Sequence, residues 1–452
     1  MTTSLKRRYD ETLFQSTKTK QPPLKKMRCE VSDQGDMVIK TIEEGKNIFI
    51  TGSAGTGKST LLNRIIQTLP QEGTFVTAST GIAATQINGT TIHSFAGIGL
   101  GKESKHELLN KVNKSKAAMR KWLSVKILII DEISMVDGQL FDALEHIARM
   151  TRGIDEPFGG IQVICCGDFL QLPPVPNGKG EGVRFCFESE SWKKTIQVCI
   201  NLTTIYRQRN EDYIRVLEEV RRGVCSRFSR DKLLEKVITA KQLIDCGFDE
   251  MTIKPTKLYA LNKNVEALNK EELDLLPGEV KLFQAIDRGN RDQLNLLSQN
   301  AAPDLLALKI GAQVMLTCNL DVKAKLCNGA RGIITKFEPS ILDEKEMVPV
   351  VLFNSGTELA INLYTWKVIV EGKTMASRSQ IPLKCAWALS VHKSQGQTLD
   401  LAVIKCDDMF EFGQMYVALS RVTSLDGLKL LGFNPNLIKA HPKVIEFYNG
   451  LG

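Results

Sequence analysis

Residues 46–62, Lys-Asn-Ile-Phe-Ile-Thr-Gly-Ser-Ala-Gly-Thr-Gly-Lys-Ser-Thr-Leu-Leu, restrict the possible folds of this chain more than any other stretch. A short apolar strand at 48–50 runs into Gly52, Ser53, Ala54, Gly55, Thr56, Gly57, Lys58, Ser59 and Thr60. Leu61, Leu62, Ile65, Ile66 and Leu69 then recur with helical spacing. Glycines let backbone N–H groups curl around phosphate oxygens, and the N-terminus of the helix adds partial positive charge. In such a loop the lysine, Lys58, reaches the β- and γ-phosphates and the Ser59 hydroxyl ligates Mg²⁺. A Gly-rich turn without a ligand would need neither the strand before it nor the amphipathic helix after it. The stretch therefore predicts a nucleoside triphosphate site in an α/β fold.

At 452 residues the chain has room for two or three cores. No apolar run approaches the roughly 18 residues of a membrane span. Eleven cysteines occur without C-x-x-C spacing, and five scattered histidines do not complete a zinc set, so the thiols read as reduced, mostly buried small hydrophobes. Residues 1–30 hold eight Lys/Arg against three acidic residues and so carry +5 of the net +8. Overall charge is thus poor evidence for a nucleic acid partner, because the excess sits in one tail. That tail is polar, has no helical or strand period and reads as disordered.

The rest reads as an α/β chain with polar loops at strand ends, where such sheets place ligands. Gln34 precedes a short apolar helix leading to the first strand; a side-chain amide there suits N6 and N7 of adenine. A second strand, 74–78, ends at Thr80, and a loop with His93, Ser94 and Phe95 follows. Small hydroxyls and glycines there suit a phosphate backbone. Residues 102–122 form a basic helical excursion, which by itself is a solvated face. The continuous apolar run 125–130 has the pattern of a strand buried on both faces and ends in Asp131 and Glu132. Asp131 is placed to hold Mg²⁺, and Glu132 to activate the attacking water. A guanine box fails, because Asn262-Lys-Asn-Val265 lacks its Asp. A third buried strand at 160–166 leads to Gln171, a neutral amide suited to sensing a γ-phosphate. Arg207 and Arg421 are candidate clamps on the transferring phosphoryl group, or else surface salt-bridge partners. From about 310 to 380, short alternating runs separated by turns suggest a small inserted β-barrel. A strand from 387 then ends in the loop with His392, Ser394 and Gln395.

These loops in this order resemble the Pif-type (petite integration frequency) DNA helicases, superfamily 1B motors related to RecD. The likeness runs from about Gln34 to the C-terminus. It rests on Gly-Ser-Ala-Gly-Thr-Gly-Lys-Ser, Gly-Thr-Thr-Ile-His-Ser-Phe-Ala-Gly-Ile-Gly-Leu-Gly, Asp-Glu-Ile-Ser-Met-Val-Asp-Gly, Gly-Asp-Phe-Leu-Gln-Leu-Pro-Pro-Val and His-Lys-Ser-Gln-Gly-Gln-Thr, with an extra family motif at 139–149. The resemblance implies two RecA-like P-loop lobes with parallel sheets and helices on both faces. It places the first lobe at 31–205 with a wedge insertion at about 97–123. The second lobe is at 206–325 and 380–452, with an SH3-like barrel at 326–379.

It further implies ATP and Mg²⁺ bound between the lobes, with Gln34 on adenine and Gln171, Arg207 and Arg421 around the γ-phosphate. Single-stranded DNA would cross both lobes at Thr80, His93, Ser94, Phe95, His392, Ser394 and Gln395. The implied activity is ATP-dependent unwinding of tailed or forked duplex, with 5′ to 3′ movement, by a chain that is monomeric when free and has no membrane association. By residues alone, a translocase that does not separate strands and a small-molecule P-loop kinase both stay open.

Two basic clusters, Lys6-Arg7-Arg8 and Lys25-Lys26-Met27-Arg28, are spaced like a two-part nuclear import signal. Asp10 and Glu11 interrupt what a mitochondrial presequence would need, so that destination is the less favoured. Replacing Lys25, Lys26 and Arg28 by Ala should move a fluorescent fusion of the chain out of the nucleus; an unchanged nuclear signal refutes the assignment.

Overall fold

The computed structural model describes residues 33–451 except 176–183, 246–252, 290–301, 319, 322, 323, 325, 327, 328, 342–345, 371 and 372. The basic tail, with both import clusters, lies outside the described residues. Among the described residues the first half forms six strands, of which the sequence runs mark β1, β2, β4 and β5: β1 (Ile48–Gly52), β2 (Thr74–Ala78), β3 (Thr90–Thr91), β4 (Ile127–Asp131), β5 (Gln162–Cys166) and β6 (Val198–Leu202). They form one sheet in the order β3-β2-β4-β5-β1-β6, with every neighbouring pair parallel. Side chains of a strand alternate between faces. Phe49, Leu128, Ile130, Val163 and Cys165 accordingly enter one core. Ile48, Ile50, Ile129, Ile164 and Cys166 enter the other. Both faces are covered, which is why these strands read as unbroken apolar runs.

The helix Lys58–Thr68 covers one face with Leu61, Leu62 and Ile65. The helix Gly138–Arg152, containing the 139–149 motif, covers the other with Phe141, Leu144 and Ile147. The basic excursion forms two helices, Lys105–Lys114 and Lys116–Ser124. Ser104 and Glu107 make a capping box at the start of the first. Leu108, Val112, Ala118 and Trp122 turn inward and merge with the first-lobe core, while most of the cations face water. Arg152 donates to the carbonyls of Trp122 and Val125, tying down the end of the second helix.

The second lobe begins with β7 (Val237–Ile238) and β8 (Thr256–Tyr259). An insertion follows that has ten strands among the described residues: β9 (Lys281–Gln284), β10 (Ile286–Gly289), β11 (Leu305–Leu308), β12 (Gln313–Leu316), β13 (Arg331–Pro339), β14 (Met347–Phe353), β15 (Glu358–Ala360), β16 (Tyr364–Val370), β17 (Lys373–Gln380) and β18 (Leu383–Cys385). The lobe resumes with β19 (Ala388–Ser390), β20 (Ala402–Lys405) and β21 (Leu428–Leu431). Its sheet, β19-β8-β20-β21-β7, is again parallel throughout. Within the insertion, β15-β14-β13-β12-β18 is antiparallel.

Two of the expected boundaries shift. The insertion is wider than 326–379, because β12 and β18 join the antiparallel sheet rather than the lobe. The alternating runs from about 310 already held β12, and only the bound implied by the resemblance cut it off; β18 lies just past 380. The second lobe also does not keep the whole of 380–452. The last helix, Pro442–Asn449, crosses back and packs Val444, Ile445, Phe447 and Tyr448 onto the first-lobe core. The Phe447 ring stacks on Phe187 at 4.3 Å between centroids.

That return fastens the lobes together. Asp168, just after β5, is fully buried and accepts two hydrogen bonds from Arg221 of the helix Glu211–Arg221, at 3.1 and 2.9 Å. Burial opposes ionisation of Asp168, but the Arg221 charge holds its carboxyl below the usual range. The Tyr448 hydroxyl donates to Asp168, accepts from the Phe169 N–H at 3.2 Å and pairs with Thr51 Oγ1 at 2.6 Å. Removing one partner of a buried ion pair leaves an uncompensated charge at about 3–5 kcal/mol. Asp168→Asn and Arg221→Met should each lower stability by about that amount in urea titrations, and the double variant should lose much less than the sum. Single-variant losses below about 1 kcal/mol would remove the pair from the list of inter-lobe ties.

Candidate nucleotide site and strand cavity

Only β5 separates β1 from β4, which puts their C-terminal ends roughly 10 Å apart. The phosphate loop leaves one end and Asp131 and Glu132 leave the other. Gly55 has φ +89°, and a Cβ there would lie 2.8 Å from both Arg207 Cβ and Gln208 Oε1, so the loop can approach the second lobe only as glycine. Ser53, Ala54 and Thr56 are buried, and Thr56 Oγ1 donates to Ser53 O at 2.8 Å. Gly57 caps the helix in the left-handed region, and Ser59 and Thr60 lie exposed on its first turn. Lys58 Nζ donates to Gly52 O at 2.6 Å and Ser53 O at 2.9 Å. Burial disfavours the Lys58 cation, and Asp168, Cys166 and Glu132 favour it.

Asp131 is 7% exposed and accepts the Glu132 N–H through Oδ1 at 2.9 Å. Burial pushes its carboxyl upward, so it sits where added positive charge would be stabilised. No cluster of three or more His, Cys, Asp or Glu able to hold a metal occurs among the described residues. The oxygens of Ser59 and Asp131 fit Mg²⁺, an ion that takes few protein ligands and completes its shell with phosphates and water. Glu132 adopts φ 51°, ψ 44°, a left-handed conformation that costs about 1–3 kcal/mol in a non-glycine residue. Such strain is characteristic of functional positions. Burial, then the neighbouring Asp131 charge, raises the Glu132 carboxyl to about 7, against the pull of Lys58 and Arg421.

The second lobe closes the site. Tyr416 OH accepts the Ala54 N–H at 2.6 Å. Arg207 Nη1 donates to Ser420 O at 3.1 Å, and Gln208 Nε2 donates to Ser420 O and Val422 O. Arg421 is 2% exposed and folds back onto its own helix, donating to Val417 O and Ser420 Oγ. Burial and the Arg207 charge both disfavour its cation, so an anion between the two arginines would relieve both. Gln171 is buried, and its Oε1 faces Gln395 Nε2 at 3.4 Å. Gln34 is engaged elsewhere: its amide donates to Asn201 O and accepts from Thr203 N, tying the first helix to the end of β6.

Beside Glu132, a cavity of about 400 Å³ opens between the lobes. Thr80, Gln86, His392, Lys393, Gln395 and Phe410 line part of it. Thr80 Oγ1 also accepts the Ala83 N–H, starting the helix Gly81–Gln86. The other expected strand contacts lie differently. Phe95 is 1% exposed and packs edge-on against Trp122 at 4.9 Å, so it supports its loop from inside. Helix phase explains this, because Ile92, Phe95 and Ala96 of the helix Ile92–Ala96 point inward while His93 and Ser94 are half-exposed. Ser394 is fully buried and donates to Val391 O at 2.8 Å, closing a one-turn helix. Gln395 belongs to the nucleotide side as well as the cavity, since Nε2 donates to Glu132 Oε2 at 2.9 Å.

Sequence reasoning missed Asp168, Arg221, Tyr416, Gln208 and Phe410. Phe410 is 56% exposed at the cavity, which its apolar character does not announce. Asp168 and Tyr416 stand inside or beside recognised motifs, and that position was the available signal.

A family profile described as "PIF1-like helicase" matches residues 30–230, and one described as "DNA helicase Pif1, 2B domain" matches 293–337. The ATP-dependent DNA helicase PIF1 of Xenopus laevis is 43% identical over 419 residues, which are 93% of this chain and 64% of the relative. The chain thus spans less than two thirds of the length of that curated relative. The crystal structure of Pif1 helicase from Candida albicans superposes with a TM-score of 0.77 at 39% identity, over 93% of this chain and 99% of that one. Pif1 helicase from Bacteroides in complex with ADP-AlF3 and ssDNA gives 0.66 at 29% identity, over 93% and 96%. With its strand order, phosphate loop and second-lobe arginines, the chain belongs to the PIF1-like helicase family.

Proposed function

We propose that this chain is an ATP-dependent DNA helicase that moves along single-stranded DNA and opens tailed or forked duplex. The observation carrying this reading is that one residue, Glu132, belongs both to the phosphate-loop seam and to the wall of the inter-lobe cavity. ATP would sit with its phosphates on the amides of 52–59 and against Lys58. Mg²⁺, held by Ser59 and Asp131, would neutralise phosphate charge. Glu132 takes a proton from water as the water oxygen bonds to the γ-phosphorus. The bond from that phosphorus to the β–γ bridging oxygen breaks, and the proton leaves with the phosphate. Arg207 and Arg421 would face the charge that develops, and Gln171 would report whether the γ-phosphate is present.

Thr80 lies on the first lobe and His392 on the second, so opening and closing of the seam changes the spacing of two contacts on one strand. Phe410 offers an exposed ring on which a base can stack. The assigned polarity is 5′ to 3′, and the free protein is assigned as a monomer that the basic tail directs to the nucleus. Among the described residues no helix is long and apolar enough to cross a membrane.

Lys58→Ala should abolish hydrolysis and unwinding together. Glu132→Gln should keep ATP binding and lose turnover by at least about 10²-fold. Because Glu132 must be ionised to accept a proton, the rate should fall as pH drops through about 7. Displacement from 5′-tailed but not 3′-tailed duplex checks polarity. Strand-stimulated hydrolysis without displacement would instead make the chain a translocase, and hydrolysis indifferent to any strand would defeat the motor reading.

A further inference from the structure

The loop after β19 connects the strand cavity to the hydrolytic carboxylate over only four residues. His392 and Lys393 line the cavity. Ser394 is locked inside by its bond to Val391 O, so it cannot absorb a displacement of its neighbours. Gln395 follows, 8% exposed, and both hydrogens of its amide nitrogen are directed at catalytic candidates: Glu132 Oε2 at 2.9 Å and Gln171 Oε1 at 3.4 Å. Gly396 then takes φ +78°, where a Cβ would meet Gln86 Oε1 of the first lobe at 2.7 Å. Gln397 N bonds back to Ser394 O at 3.0 Å, and Gln397 Nε2 to Lys393 O at 3.0 Å. The segment is therefore one stiff unit pinned between lobes, with cavity contacts at one end and the Glu132 contact at the other.

A general base needs a carboxylate oxygen free to meet a water proton. One Glu132 oxygen accepts an amide donor from the opposite lobe, and the same donor engages Gln171. We propose that Gln395 is a positioning residue that holds Glu132 away from the attacking water until a single strand, seated against Thr80 and His392, draws the 392–397 loop aside. This rests on the helicase reading above and adds the route by which strand binding stimulates hydrolysis. Polynucleotide contact is then required for turnover because it breaks one hydrogen bond across the seam.

Removing the amide donor frees a Glu132 oxygen. With no strand added, Gln395→Ala and Gln395→Asn should hydrolyse ATP at least fivefold faster than the parent, the gain lying in kcat with the KM for ATP unchanged. Asn keeps the amide but is one methylene too short to reach Glu132. The stimulation by a 20-nucleotide oligothymidylate should shrink by a similar factor. At saturating strand the variants and the parent should share one kcat, a split between the two conditions that a merely structural role for Gln395 does not produce.

Thermal melting and fluorescent ATP-analogue binding establish that each variant is folded. A folded variant whose kcat without strand is unchanged or lower overturns the proposal. The helicase reading fails separately, if the unaltered chain shows no strand-stimulated hydrolysis at all.

Discussion

Seven charged side chains (Lys58, Asp131, Glu132, Asp168, Arg207, Arg221 and Arg421) share one seam between two parallel sheets, and Asp168, Arg221 and Glu132 find partners across it. A charge buried without a partner is costly enough that the group changes protonation state or the structure rearranges. Here Asp168 of the first lobe takes the guanidinium of Arg221 from the second. The Ala54 amide meets the Tyr416 hydroxyl, and Glu132 meets Gln395. The relative placement of the lobes is thus set by polar pairing, with Ala54 and Leu172 joining the second-lobe core beside it.

The same crowding explains the chemistry of the site. Burial raises Asp131 and Glu132 and lowers Lys58, Arg207 and Arg421, so each charge is held in its less comfortable form. A magnesium triphosphate would bring cation to the carboxylates and anion to the arginines and lysine, relieving both sides at once. The left-handed backbone of Glu132 is the complementary mechanical feature, turning its carboxylate out of the end of β4 toward the seam and the strand cavity. Nucleotide and strand can then compete for, or cooperate through, the same few hydrogen bonds.

The sequence by itself determined strands β1, β2, β4 and β5 of the first sheet and the strand–turn–helix form of the phosphate loop. Unbroken apolar runs occur where a strand is covered on both faces, and a Gly-rich turn between strand and helix is specified by local backbone geometry. Asp131 and Glu132 were legible for the same reason, since the residues after a buried parallel strand must emerge at the ligand-bearing edge of the sheet. The solvated face of the basic excursion followed from composition and period.

Tertiary structure alone decided the rest, because those choices depend on partners distant along the chain. Phe95 and His93 share one motif, yet helix phase against Trp122 sends the first inward and leaves the second half-exposed. The apolar stripe of Pro442–Asn449 would suit either core, and the burial of Val444 with the packing of Phe447 on Phe187, Phe169 and Phe49 assigns it to the first lobe. Strand β18 could have served either sheet until pairing with β12 fixed it in the insertion. Asp168 and Arg221 lie 53 residues apart, and no local rule pairs them. Periodicity reports how much of a residue is buried, while the partner that receives it is chosen by packing in three dimensions.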